Sequence, residues 1–285
     1  MYKFDPRGEP PETAFRAIAI DQLDETLADL DRPDRAHRSV VHEARRRCKK
    51  LRGLLRLVRP GFADFDRENT AIRDAAALLS HLRDSEVMHE TFHELSEWRH
   101  DPLFERLAAA AATDEPDQAP ALAAFGDRLR DIRRRAETWT LSKPHVDTLV
   151  GGLRSTYRSG RRRMRKAARS DTATAFHNWR KASKYHGFHL DLLRKAAPEM
   201  IDGELDAVEA LSTQLGQHHD LVVLRSAAQE HKLGITDADL ETLVELIGQR
   251  LEELEDEAFE LGRQVYAETP DAIARRISSY WNSAS

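Results

Sequence analysis

Residues 42–59, HEARRRCKKLRGLLRLVR, and residues 177–195, HNWRKASKYHGFHLDLLRK, carry one pattern twice. On a helix advancing about 100° per residue, His42, Arg45, Arg46, Lys49 and Arg56 fall on one side, and Ala44, Leu51, Leu54, Leu55 and Val58 on the other. The second copy places His177, Arg180, Lys181 and Lys184 at the same offsets, about 135 residues later. Each copy is followed by a Leu-x4-Asp segment, LLSHLRDSEVM at 78–88 and QLGQHHDLVVL at 214–224, ending on Asp84 and Asp220. An ordered repeat of this kind constrains the fold more than any composition, because the two units must be built alike. The apolar stripe buries the helix in a bundle. The opposite face is the unusual part. Between 42 and 59 one acid, Glu43, stands among eight Lys and Arg. Like charges four apart repel by a few tenths of a kcal/mol, so such a face calls for an anion.

The paired His-helices, each followed by a Leu-x4-Asp helix, resemble the CHAD family, the conserved histidine α-helical domain. The resemblance runs from about residue 11 to 282. It implies an all-α fold of two four-helix-bundle-like halves related by a pseudo-twofold, with a basic central groove or pore. It also implies inorganic polyphosphate as partner, with no cofactor, no bound metal and no catalysis. Many family members follow a triphosphate-tunnel domain marked by a Glu-x-Glu-x-Lys strand, which is absent here, so a stand-alone copy is expected.

Composition agrees with helices throughout: Gly and Pro are sparse, and Ala, Leu, Arg and Glu dominate. The net charge of −5 hides an uneven distribution, with eight bases and no acid in 151–169 against ten acids and one base in 237–260. Local field, not total charge, steers a polyanion. A single cysteine, Cys48, excludes an intrachain disulfide and reads as a small buried hydrophobe. With no apolar leader core and no run of about 18 apolar residues, a cytoplasmic protein is expected, and polyphosphate granules are a candidate location.

One domain is expected over 11–282, made of halves 11–141 and 145–282 that meet at Ser142-Lys143-Pro144. Periodicity predicts helices near 12–31, 42–59, 67–82 and 84–100 (one long helix or two abutting ones), 103–112, 121–141, 145–169, 173–197, 200–216, 218–231, 237–267 and 271–282, with 113–120 as a loop. In the 145–169 helix, Arg154, Arg158, Arg161 and Arg165 lie within about 60° of one another, with Tyr157 alongside.

Polyphosphate offers no base edges, so its site needs repeated cationic donors. Arginine grips phosphate oxygens in a planar fork and lysine adds point charge. The candidate contacts are His42, Arg45, Arg46, Lys49, Lys50, Arg52 and Arg56; Arg154, Tyr157, Arg158, Arg161 and Arg165; and His177, Arg180, Lys181 and Lys184. If both His-helices and the arginine stripe turn to one interior, their charges line a single groove. His42 and His177 are either phosphate donors or braces between helices, Asp84 and Asp220 are braces, and Arg133–Arg135 are a solvated face. Three rivals remain. His218-His219-Asp220 resembles the start of an HD-type metal phosphohydrolase, and His89 with His93 could share a metal. A helical nucleic-acid-binding protein shares the basic faces but lacks a groove-reading motif, which leaves nucleic acid as a non-specific competitor. An adaptor would dock through the acidic 237–260 helix.

Overall fold

The alternation of apolar stripes and Pro, Gly or Thr breaks resolves into eleven α-helices and no strand among the described residues. The computed structural model describes residues 2–32, 37–80, 82, 84–110, 118–170, 172–230, 233 and 235–285. The helices are α1 (Pro11–Leu30), α2 (His37–Val58), α3 (Phe65–Ala77), α4 (Asp84–Trp98), α5 (Pro102–Ala110) and α6 (Ala119–Ala136). They continue with α7 (Val146–Ser170), α8 (Ala173–Leu193), α9 (Pro198–Gln229), α10 (Asp237–Val265) and α11 (Pro270–Ala284).

Most boundaries follow local chemistry. Pro60 and Gly61 end α2, and the chain leaves through a 3-10 turn, Arg59–Gly61. Thr172, Thr236 and Thr269 cap α8, α10 and α11, each accepting a backbone N–H bond three residues on. One expectation fails: the two helices expected at 200–216 and 218–231 are one, the 32-residue α9. Gly216 lowers helix propensity by about 1 kcal/mol, but packing along the rest of α9 outweighs that. Of the loop expected at 113–120, residues 113–117 lie outside the described residues, as does the Asp84 side chain, while Ala119 and Pro120 already open α6.

Two apolar clusters hold the helices. The larger draws on α1, α2, α3 and α6 to α11, and includes Leu54, Leu55, Leu153, Trp139 and Trp179. In the smaller, Phe92, Leu95, Phe104 and Leu107 from α4 and α5 pack against Leu221, Leu224, Leu243 and Leu254 from α9 and α10. Chain from before residue 141 and after 145 thus shares one core. Trp139 stacks on Phe15 at 5.5 Å and Trp179 on Phe259 at 5.2 Å, so both serve packing. Cys48 is buried, and burial pushes its thiol up to about 12. The arginines at 133–135 all meet acids: Arg133 meets Asp24, Arg134 meets Asp131, and Arg135 grips the buried Glu68 at 2.8 Å through two nitrogens. Arg135 is therefore a structural anchor and not a freely solvated charge. No helix is long and apolar enough to cross a membrane among the described residues.

Candidate functional site: a mixed groove and a basic helix face

Helices α2 and α8 cross at Gly53, where an added Cβ would sit 2.9 Å from the Phe188 Cβ. The same close approach lets His189 donate from Nε2 to the Gly53 carbonyl at 3.0 Å. Above this crossing, with α9 as the far wall, lies a groove of about 610 Å³. His42, Arg46, Lys49 and Lys50 line it from α2, and Arg180 and Lys184 from α8. It is not purely basic, because Glu94, Asp191, Glu209 and Asp220 line it too. Lys50 lies 3.9 Å from Asp191 and over the Tyr2 ring, and Arg46 is bonded to Glu43 at 2.7 Å. Burial holds the Arg180 guanidinium below its ordinary value, and the nearby Asp220 carboxylate offsets only part of that. Burial first, and Asp220 second, raise the Glu94 carboxyl above its ordinary value.

The remaining candidates are placed elsewhere. Arg45 is absent from the groove lining and has a buried Nε. Arg52 and Arg56 both bond the Asn69 side-chain oxygen, and Arg56 lies 4.1 Å over the Tyr185 ring. Lys181 sits among Arg52, Arg163 and Arg180, whose charges add to burial in lowering its pKa. Tyr157 requires a correction: it is buried and its hydroxyl donates to the Glu268 carbonyl at 3.2 Å, so it does not face an anion. Arg154 pairs with Asp271 on α11. Arg158, Arg161 and Arg165 line a second depression, which shares no residue with the first. The expectation of one common groove is corrected accordingly. The reason is the packing of α7, whose Leu149, Gly152, Leu153 and Gly160 turn inward and carry the arginines outward.

The histidines equated by the repeat differ in setting. His42 is exposed at the groove, while the His177 ring lies 4.4 Å from that of His219 with its Nδ1 buried and without a hydrogen-bond partner. Burial and neighbouring cations lower both His177 and His219 to about 4, and burial takes His189 to about 3. The unfolded chain takes up these protons near 6.5, before the folded chain does. Stability therefore falls as pH drops from about 6.5 toward about 4. We expect the denaturant midpoint to decline across that window, and the decline to be shallower in H177N/H219N. Coincident curves for the two proteins would show that the pair is solvated.

His218 and His219, adjacent in sequence, serve different partners. His218 meets Glu255 at 2.9 Å and stacks on Phe176, while His219 faces His177. His93 lies 3.8 Å from Glu97. Among the described residues no group of three or more His, Cys, Asp or Glu is placed to hold a metal ion. Glu94, Asp191 and Glu209 were the groove carboxylates missed by sequence reasoning. Glu94 sits in no repeat, and only Asp220 carried a signal, through its Leu-x4-Asp motif.

The CHAD domain family model matches residues 17–229. The chain belongs to the CHAD domain family. Every residue lining the α2–α8–α9 groove of this CHAD protein falls within the match, whereas α10 and α11 lie beyond it. PptA from Streptomyces chartreusis shares its fold, with TM-score 0.59 over 91% of this chain and 100% of that one, at 17% identity. No curated protein matches the CHAD chain significantly.

Proposed function

We propose that the chain is a non-enzymatic polyphosphate-binding protein whose first site is the groove between α2, α8 and α9. Membership of the CHAD family supports the ligand class. The observation that carries the location is that cations at matching repeat offsets, Lys49 and Lys184, line one groove from two helices. On this reading the two helices are copies of an internal repeat, and the halves 11–141 and 145–282 form a single domain. His42, Arg46, Lys50 and Arg180 complete the cation set, and the protein meets polyphosphate in the cytoplasm, free or in granules. Each charge-assisted hydrogen bond to phosphate contributes roughly 1.5–3 kcal/mol. The groove carboxylates oppose the anion, so affinity depends on the balance of charges and on salt.

A ligand that binds only the folded chain raises its melting temperature. Saturating polyphosphate in low salt is expected to raise Tm by several degrees, and added salt to reverse the shift. An unchanged Tm under those conditions would sink the reading.

A further inference from the structure

A second concentration of positive charge lies outside the groove. Arg158, Arg161, Arg162, Arg165, Lys166 and Arg169 line the depression on the outer face of α7, of about 610 Å³. Among the described residues no ion pair joins any of these six to a carboxylate. Like charges at i,i+4, as at 158/162, 161/165, 162/166 and 165/169, cost a helix about 0.2–0.5 kcal/mol per pair. An anion laid along the face would remove that cost. The six cations extend over about 16 Å of helix at 1.5 Å per residue, which is the shape of a site for a linear ligand.

We infer that this face of α7 is a second polyphosphate-binding surface, separate from the groove, so that the protein holds two segments of polyanion at once. The inference builds on the proposed ligand class but not on the groove as its place. The occupant follows from what accompanies the cations. Only Ser170 and Pro270 complete the lining, so no aromatic ring is offered for stacking bases, and Tyr157 is buried. Pro270 is the sole apolar side chain in that lining, and a single proline does not make the apolar face that enters a lipid layer. A bare phosphate polymer needs neither. Arg52, Arg163 and Lys181 stand together where α2, α7 and α8 meet, giving a long chain a cationic crossing between the two surfaces.

Titration calorimetry with tripolyphosphate in low salt tests this. Wild-type protein is expected to bind two molecules, and R158E/R162E/R165E and K49E/K184E one each. R158Q/R165Q/R169Q, which keeps helix-compatible side chains, guards against misfolding of the reversed variant and is also expected to bind one. Long-chain polyphosphate bridging both surfaces should bind wild type about 100-fold more tightly than either reversed variant. One tripolyphosphate per wild-type protein, or unchanged long-chain affinity in both α7 variants, overturns the inference. So does displacement of tripolyphosphate from K49E/K184E by single-stranded RNA at lower phosphate concentration than by polyphosphate. If K49E/K184E still binds two while the α7 variants bind one, the groove assignment fails and the α7 surface stands.

Discussion

Reversing three groove cations, R46E/K49E/K184E, should weaken the groove's binding of tripolyphosphate at least about 100-fold in low salt. Removing three favourable contacts of roughly 1.5–3 kcal/mol each already exceeds the roughly 3 kcal/mol that such a loss requires, and the new carboxylates add repulsion. The choice of residues comes from the structure. On a helical wheel Arg45 and Arg46 are equally good candidates, but only Arg46 lines the groove. R45E in place of R46E should therefore cost less affinity. A substitution of opposite sign completes the test. Glu94 lines the same groove with a carboxyl already pushed upward by burial and Asp220, so E94Q should tighten binding several-fold. The readout is affinity by calorimetry, with far-UV circular dichroism confirming that the helices persist. Undiminished affinity in the triple variant would move the site away from α2 and α8.

Gly152→Ala is expected to produce the largest loss of stability from a single added methyl group. Where α7 crosses α2, a Cβ at 152 would lie 1.9 Å from the Leu57 carbonyl oxygen and 2.5 Å from its carbon. Both obstacles are backbone, so no rotamer change relieves the overlap and the two helices must separate. Leu54, Leu57, Leu149 and Leu153, all fully buried, would lose packing together. Overpacking usually costs about 1–3 kcal/mol, and a backbone collision in a closed crossing belongs at or above that upper end. Gly203→Ala is the matching control. That glycine is also inside a helix, but nothing stands within 4 Å of its would-be Cβ. There the helix preference for alanine, about 1 kcal/mol, should raise stability. Denaturant midpoints at constant m-value measure both. Equal and small effects at the two positions would contradict the α2–α7 crossing as described.

Local sequence determined the helices, their main apolar stripes and the two basic helix patterns. Periodicity, Pro60-Gly61 and the threonine caps act within a few residues, so Leu51, Leu54, Leu55 and Val58 could be assigned to the core from sequence alone. The candidate site was legible in part: the repeat pointed to Lys49 and Lys184, and the arginine stripe to α7. Only tertiary structure could decide which cations share a surface. His42 and His177 hold equivalent places in the repeat, but one meets solvent and the other is packed against His219. Tyr157 stands beside arginines in sequence but inside the protein in space. Gly152 and Gly203 look alike on paper, and the position of Leu57 alone separates them. Secondary structure follows from forces that span one or two turns. Burial, carboxylate neighbours such as Glu94, and the division of charge between groove and α7 depend on helices far apart in the chain, and no short-range pattern records where those helices dock.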